Sequence, residues 1–184
     1  MICESCSFET SRLSVRGWHS IGGAAPPGQD LAAFVVGLMS ESVTRSLPSH
    51  WRGEYTIGRA REWIAERDSE GTTLLILERS IGRPVGVVIL SESASEDDSG
   101  AVDVRLGYLL AESAWDRGLG SELIEGLIGW CRGQPPIRSL AGGVESENVA
   151  SARVLEKNGF RPVQTVHGDS ASERIFELRL SPAR

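Results

Sequence analysis

The sequence lacks any long apolar run, and none approaches the roughly 18 residues that a membrane-spanning helix needs. Its opening stretch, MICESCSFETSRLSV, also lacks the charged start and the long apolar centre of a secretory signal peptide. Positive charge is in short supply, because 25 acidic residues face 19 lysines and arginines and the net charge is −6. Proteins that bind nucleic acid usually carry a basic patch or stripe. We therefore expect a cytoplasmic protein that binds neither membranes nor nucleic acid.

Cysteine is scarce as well, and the chain has three residues of this type: Cys3, Cys6 and Cys131. The C-x-x-C pair near the start has neither a second ligand pair nor a βαβ setting, which a metal or redox site requires. The histidines stand apart from one another in the sequence: His19, His50 and His167. We therefore expect no metal site, a flexible and reduced tail over residues 1–11, and a single domain over residues 12–184.

The 184 residues form an ordinary globular mixture, 40% hydrophobic and 24% charged, which is enough for one domain with a core. Short apolar or alternating runs predict strands in these segments: Arg12–Trp18, Thr72–Ser80, Val85–Ser93, Ala101–Leu110, Ile137–Val144, Phe160–Val166 and Ser172–Leu180. Apolar residues at helical spacing predict helices in these: Leu31–Leu47 with Asp30 as N-cap, Ile57–Gly71, the segment after Gly118, and Asn148–Gly159.

This order of elements predicts an α/β fold, a single domain with a mixed, mostly antiparallel sheet and helices on both faces. Strands joined by short turns favour antiparallel hairpins. The strand–helix–strand unit from Ala101 to Val144 is the exception, because strands joined through a helix cross over right-handed and pair in parallel.

Two glycines stand where an apolar helix begins, in the stretch AWDRGLGSELIEGLIGW. Glycine costs roughly 1 kcal/mol relative to alanine inside a helix, so the pair indicates that another group approaches the backbone. The N–H groups of a first helical turn, with the positive end of the helix dipole, favour an anion. Gly118 and Gly120 remove side chains that would exclude a phosphate, and Arg117 adds a positive charge. The alternative is a glycine-softened turn without a ligand.

A second pattern lies downstream, NVASARVLEKNGF over Asn148–Phe160. Together with WDRGLGSEL, it closely resembles the GNAT superfamily of acetyl-CoA-dependent N-acetyltransferases. The best match is the branch that includes the ribosomal-protein N-terminal (alanine) acetyltransferases. The stretch TSRLSVRGW resembles the first strand of that branch, and LGYLLAESAW resembles its fourth. The resemblance covers nearly the whole chain and is strongest from Val102 to Val163.

The resemblance implies that acetyl-CoA lies in a gap between the fourth and fifth strands, where the fourth strand carries a bulge near Leu109–Leu110. The N–H group of Leu110 would then face the thioester carbonyl, with Leu109 beside the cofactor. Asn148 would hydrogen-bond the pantetheine arm. The diphosphate would be bound by the N–H groups of the glycine loop: Asp116, Arg117, Gly118, Leu119, Gly120 and Ser121.

In the family reaction, a neutral amine attacks the thioester carbon and the thiolate leaves. One well-placed donor to the developing oxyanion is worth roughly 3–4 kcal/mol. In much of the superfamily a tyrosine protonates the thiolate, but the corresponding residue here is Leu155. The branch offers Ser151 instead, either as the donor or as a residue packed near the cofactor. Trp115 likewise stands where the usual loop motif begins with Gln or Arg.

The general base is less well defined. Related sequences often have an acidic residue shortly before the strand tyrosine, but Arg105 occupies that position here. Asp103, on the same strand face, Glu112 and Glu145 are candidates for relaying the proton, and the alternative is that they are surface charges. An α-amino group, with a pKa of about 7.7–8.0, needs a base less than a lysine-like amine near about 10.4. The missing acid therefore favours a weakly basic or α-amino acceptor.

Two functions agree with these patterns. The first is an enzyme that acetylates the N-terminus of a protein or peptide, or a small-molecule amine. The alternative is a non-catalytic CoA-binding regulatory module, which the missing acid and tyrosine favour. Three aromatic residues, Trp51, Tyr55 and Trp63, either line the acceptor pocket or fill the core. The patterns agree equally with a monomer and a homodimer, since related enzymes occur as both.

Overall fold

The structure, a computed structural model, describes residues 1–19, 30–45, 47–94, 100–167 and 172–180. Its strands are β1 Phe8–Glu9, β2 Leu13–Gly17, β3 Thr72–Glu78, β4 Arg83–Ala94, β5 Val102–Leu110, β6 Ile137–Glu145, β7 Arg161–His167 and β8 Ser172–Arg179. Its α-helices are α1 Leu31–Leu38, α2 Glu41–Thr44, α3 Ile57–Glu70, α4 Leu119–Arg132 and α5 Val149–Lys157. Within these ranges no helix has the length and apolar character needed to cross a membrane.

All eight strands form one sheet in the order β1-β2-β3-β4-β5-β6-β8-β7. Neighbouring strands are antiparallel except for β5 and β6, which are parallel and joined through α4. The predicted mixed, mostly antiparallel sheet is therefore confirmed, and so is the parallel strand–helix–strand unit within it.

Helices cover both faces of this sheet, as predicted. Alternate residues of β3 divide between the two cores: Leu74 and Ile76 pack in the core that includes α4 and α5, and Leu75 packs in the core that includes α1 and α3. We call these the α4–α5 face and the α1–α3 face. Helix α4 buries the apolar residues that the sequence predicts: Leu119, Leu123, Ile124, Leu127 and Ile128.

The helix predicted over Leu31–Leu47 is two helices in the structure. Asp30 caps α1 as expected, since its Oδ1 accepts from the Ala32 N–H at 3.1 Å. Helix α1 ends at Leu38, and the Ser40 Oγ accepts from the Val43 N–H at 3.3 Å to start α2. Serine side chains compete with the backbone for hydrogen bonds in this way. Ser40 lies inside the continuous helical pattern of the sequence, but its side chain caps a new helix at this point. Ser46, within the predicted helix, lies outside the described residues.

The segment 1–11 is packed, contrary to the expected flexible tail. Cys3 and Cys6 are 1% and 2% exposed and belong to the same core as Cys131. Strand β1 pairs with β2, and the Cys3 N–H donates to Glu92 at 2.5 Å. Burial raises the pKa of all three thiols, that of Cys131 to about 12. The cysteines act as small apolar side chains that pack the segment against the core. The C-x-x-C spacing does not indicate this role.

Candidate active site

The two central strands separate part-way along their length. Strands β5 and β6 pair only as far as Arg105 and Ala141. Beyond these residues β5 continues beside β4 to Leu110, whereas β6 continues beside β8 to Glu145. A cavity of about 520 Å³ lies at the resulting gap and is lined by residues from both faces of the sheet.

The bulge expected near Leu109–Leu110 is not found within β5. The β4–β5 register runs without interruption from Val102 to Leu110, and the irregularity lies at Val102/Asp103, on the β6 side. The gap therefore forms because β5 stays with β4 while β6 follows β8. The prediction of a bulge at this place was wrong, although the gap that the bulge was expected to create is present.

The backbone of Leu110 faces away from β4, toward the side from which β6 has separated. The Ala111 N–H donates to the Val85 carbonyl at 2.8 Å, across β4 and β5. Residues of an antiparallel strand alternate between facing their partner and facing away, so the backbone groups of Leu109 face β4 and those of Leu110 face the gap. In agreement, the Leu110 carbonyl accepts from the Trp115 indole N–H at 2.8 Å. Leu109 lines the cavity, whereas Leu110 is not among the lining residues.

The glycine loop turns sharply before α4. Asp116 and Gly118 have left-handed φ angles of 54° and 75°, a conformation that favours glycine. Helix α4 begins at Leu119 without a side-chain cap, so the N–H groups of its first turn remain available to a ligand. A β-carbon at position 120 would lie 3.6 Å from Val154 of α5 and 3.9 Å from the Tyr108 ring. A β-carbon would therefore fit at position 120, and a longer side chain would extend between α4, α5 and β5.

Arg117 does not offer a free positive charge to this loop. Its guanidinium forms a two-point ion pair with Glu78 of β3, with Nη1 3.1 Å from Oε2. Hydrogen bonds from Arg117 are the main cause that lowers the pKa of Glu78. The expected counter-charge is therefore already neutralised, and only the backbone N–H of Arg117 remains as a candidate ligand.

Arg12 is the arginine that holds the loop. Its Nη1 donates to the Arg117 carbonyl at 2.8 Å, and its Nε donates to Glu122, in the first turn of α4, at 2.6 Å. Burial raises the pKa of Glu122, but hydrogen bonds from Thr10 and Arg12 outweigh this effect, so the net shift is downward. Sequence analysis missed Arg12 because its partners are distant along the chain.

Asn148 and Ser151 lie together at the start of α5, and both line the cavity. The Asn148 Oδ1 accepts from the Ser151 N–H at 3.0 Å, so this asparagine caps the helix and its NH₂ group remains as a donor. The Ser151 side chain lies close enough to Tyr108 to lower the pKa of its hydroxyl. Burial raises the pKa of Tyr108, and the interaction with Ser151 offsets only part of this rise. Tyr108 therefore keeps its proton at neutral pH. Loop residue Ser121 accepts from Asn158 Nδ2 at 3.2 Å.

Sequence analysis did not select Tyr108 as a functional residue. Alternation along β5 places Leu106, Tyr108 and Leu110 on the α4–α5 face. This period is visible in the sequence. The position of α5 opposite Tyr108 is not, because it depends on how the helix packs on the sheet.

Two of the proposed carboxylate bases lie away from the cavity. The Asp103 carboxylate lies 2.9 Å from Arg138 and accepts from the Ser139 hydroxyl at 2.6 Å. Glu112 accepts from the Ser40 hydroxyl at 2.5 Å. Neither carboxylate is among the residues that line the cavity. The geometry therefore does not support Asp103 as the base.

The cavity is lined by two other carboxylates, one of which sequence analysis missed. Glu145, a candidate from the sequence, is 2.9 Å from Arg52. Glu173 lies directly opposite Glu145 in the β6–β8 register. Its carboxylate fills the space beside Gly143, where a β-carbon would lie only 2.0 Å from the Glu173 Oε1. Residues paired across antiparallel strands share a face, so Glu145 and Glu173 both lie on the α1–α3 face.

Two glycines form the floor of the cavity on the α1–α3 face. Gly107 and Gly143 each lie two residues beyond Arg105 and Ala141, the last pair of the β5–β6 ladder, and both line the cavity. A β-carbon at Gly107 would meet no atom within 4 Å. The floor is therefore open above Gly107, whereas the Glu173 carboxylate covers Gly143.

Trp51 forms a wall of the cavity on this face, whereas Tyr55 and Trp63 are buried in the core. The Trp51 ring packs edge-on against Trp63, with the ring centres 5.5 Å apart. The guanidinium of Arg67 lies 4.6 Å from the centre of the Trp51 ring. Of the three aromatic residues considered from the sequence, Trp51 is the one that lines this cavity.

A family model described as an acetyltransferase (GNAT) domain matches residues 25–161. The chain belongs to the GNAT acetyltransferase family. A search of curated protein sequences finds no significant relative. The resemblance in the sequence is thus confirmed at the level of the family, and the chain is an N-acetyltransferase.

Solved structures of GNAT acetyltransferases share this fold. A GNAT-family acetyltransferase from Bacillus anthracis superimposes with a TM-score of 0.72 at 15% identity, over 95% of this chain and 98% of that one. RimL, a ribosomal L7/L12 alpha-N-protein acetyltransferase in complex with coenzyme A, gives 0.69 at 18% identity, over 93% and 96%. AAC(6')-Ib, in complex with ribostamycin and coenzyme A, gives 0.69 at 20% identity, over 91% and 93%. At these identities the likeness shows the fold.

GNAT acetyltransferases use acetyl-CoA as their acetyl donor. In the part of this GNAT chain that the structure describes, no group of three or more His, Cys, Asp and Glu side chains is placed to hold a metal ion.

Proposed function

We propose that this GNAT protein transfers the acetyl group of acetyl-CoA to a primary amine, either the N-terminus of a protein or peptide or a small-molecule amine. The observation that carries the proposal is the cavity at the gap between β5 and β6, lined from both faces of the sheet. A thioester on the α4–α5 face and an amine on the α1–α3 face can meet in this gap. Holding two reactants in line accounts for a large part of enzymatic rate enhancement.

The residues on the α4–α5 face suit the acetyl donor. The loop from Asp116 to Ser121 offers backbone N–H groups and the positive end of α4 to a diphosphate. Gly120 leaves room for it, and the NH₂ group of Asn148 is placed to hydrogen-bond a pantetheine amide. Acetyl-CoA supplies the thioester that the amine attacks.

The residues at the gap suit the chemistry of the transfer. As the new C–N bond forms and the C–S bond breaks, negative charge develops on the carbonyl oxygen, and the N–H of Leu110 is the donor we assign to it. The amine loses a proton through water to Glu145, which lines the cavity. The departing thiolate gains a proton from Tyr108 or through its partner Ser151.

Removing the Tyr108 hydroxyl is expected to slow turnover. Tyr108→Phe should lower kcat by roughly a factor of 100, the lower end of what a general acid contributes, with little change in CoA affinity. Ser151→Ala should give a smaller loss of the same kind. Because the pKa of Tyr108 is raised, the protonated form persists to high pH, and the kcat of the unmodified protein should fall only above about pH 10. Steady-state kinetics at saturating acetyl-CoA measure these effects, and unchanged turnover in both variants would remove the pair from the mechanism.

Removing the Arg12 side chain is expected to weaken donor binding. Arg12→Gln frees the loop carbonyl and leaves the Glu122 carboxylate uncompensated near the diphosphate site. We expect CoA to bind roughly fivefold more weakly, about 1 kcal/mol. Calorimetric titration with CoA measures this change. The double variant Arg12→Gln, Glu122→Gln should recover part of the affinity, and equal affinity in all three proteins would exclude the role given to Arg12.

Release of free thiol from acetyl-CoA in the presence of a panel of amines tests the proposed function. We expect amine-dependent release and a matching increase in the mass of the amine. Tight CoA binding without thiol release for any amine would contradict the proposed transfer.

A further inference from the structure

Two charged side chains of the cavity have no ion pair among the described residues. The charged Arg and Glu side chains that line the cavity are Arg52, Arg105, Glu145 and Glu173. Arg52 and Glu145 pair with each other at 2.9 Å. Arg105 and Glu173 form neither an ion pair nor a side-chain hydrogen bond within the ranges that the structure describes.

Arg105 and Glu173 lie on the same side of the sheet and are separated by one strand. Arg105 pairs with Ala141 in the parallel ladder, so both side chains point to the same face of the sheet. Gly143 lies two residues after Ala141 and is on that face too, and the Glu173 carboxylate lies beside it. Both side chains therefore belong to the α1–α3 face. Neighbouring strands are about 4.8 Å apart, so β5 and β8 are roughly 10 Å apart with β6 between them. Glu173 also pairs with Glu145, four residues beyond Ala141, which adds an offset of roughly 13 Å along the strands. This spacing explains why the two opposite charges do not meet.

The floor beside the two charges is formed by Gly107 and Gly143, and its open part lies above Gly107 because the Glu173 carboxylate covers Gly143. A molecule lying on this floor is next to the gap where the thioester is proposed to lie. It has a positive group of the protein on one side and a negative group on the other. Charge-assisted hydrogen bonds of this kind are stronger and shorter than neutral ones, and a ligand that carries both charges makes both. A ligand with a single charge leaves one of the two groups without a partner.

We propose that the acceptor is a small zwitterion, an amino acid or a similar molecule that carries a carboxylate close to its amine. Arg105 binds the carboxylate, Glu173 binds the ammonium group, and Trp51 with Leu47 contacts the rest of the molecule. Arg105 and Glu173 are thus specificity-determining residues. This inference rests on the proposed function and narrows the class of amine that the site accepts.

The inference is tested by measuring the acetylation of a panel of L-amino acids and comparing each amino acid with its own carboxamide. The amide keeps the amine and removes the negative charge. In the unmodified protein we expect kcat/KM to be higher for the amino acid than for its amide. Arg105→Gln should lower this ratio of the two kcat/KM values by roughly tenfold or more, the size expected for a lost charge-assisted contact. Glu173→Gln should weaken both members of each pair. Arg83→Gln, the same charge change at an exposed residue outside the cavity, is the control and should leave the ratio as it is.

Binding of the same compounds provides a readout that does not require turnover. In calorimetric titrations with CoA present, Arg105→Gln should weaken the amino acid more than its amide. An unchanged ratio in Arg105→Gln, or turnover of amides or peptide N-termini with none of free amino acids, would overturn the inference while the proposed function stands. If none of the amines supports thiol release from acetyl-CoA, that result would count against the proposed function itself.

Discussion

Glutamate at position 120 is expected to weaken CoA binding by at least a factor of about 10, or about 1.4 kcal/mol. The β-carbon would fit, because it lies 3.6 Å from Val154 and the same distance from Leu110, which are ordinary contacts. The carboxylate beyond it would extend into the cleft and carry negative charge to the place proposed for the diphosphate. Calorimetric titration with CoA measures the change.

The fold should survive this substitution, because a negative charge in the first turn of a helix is favourable. Thermal unfolding of Gly120→Glu should therefore resemble that of Gly120→Ala, which adds only the tolerated β-carbon. Gly120→Gln separates size from charge, and we expect its affinity to lie between the other two. If the glutamate variant is stable and binds CoA as tightly as the alanine variant, the diphosphate does not lie at this loop.

A valine at position 107 is expected to block the amine while sparing the donor. The side chain would stand on the open floor of the cavity, where a β-carbon meets no atom within 4 Å, so the strand can accept it. Valine also suits a strand better than glycine does. We expect kcat/KM for the amine to fall by roughly tenfold or more, a loss of at least about 1.4 kcal/mol in transition-state stabilisation. Steady-state kinetics with a fixed, saturating concentration of acetyl-CoA measure it.

A second strand glycine provides the matched control. Gly17 of β2 also has open space beside its α-carbon and does not line the cavity, so Gly17→Val should leave amine kinetics unchanged. Gly107→Ala should give a smaller loss than valine, and CoA affinity should be the same in all of these variants. A Gly107→Val protein that keeps full activity toward the amine would show that the acceptor enters elsewhere.

Features set by residues close together in the sequence could be predicted. The apolar face of α4 follows from helical spacing within one segment, and so do the uncapped first turn and the glycines before it. The cap by Asp30 is equally local. The parallel pairing of β5 and β6 follows from the helix between them.

Features that depend on distant parts of the chain could not be predicted from the sequence. Arg117 lies in the glycine loop, but a carboxylate from β3 neutralises it, and Arg12, from the N-terminal region, holds the loop instead. Cys3 and Cys6 are buried because they pack in the core that contains Cys131, and a lone C-x-x-C does not indicate this. Glu173 faces the cavity only because β8 pairs with β6, and Gly143 leaves it room.

The shape of the gap also follows from competition between strands. Each residue of β5 has ordinary strand character, and the register with β4 is regular to Leu110. Whether β6 stays beside β5 or follows β8 depends on the relative strength of the two ladders. The sequence of β5 alone contains no sign of that balance. The family resemblance implied both a bulge and a gap, and the structure has the gap without the bulge in the β4–β5 register.

A crystal structure with CoA bound is the measurement that tests the account most directly. We expect the diphosphate on the N–H groups between Asp116 and Ser121, the pantetheine arm in the gap between β5 and β6, and the sulfur close to Tyr108 and the N–H of Leu110. CoA bound elsewhere on the protein, or a gap closed by pairing of β5 with β6 beyond Arg105, would contradict the account.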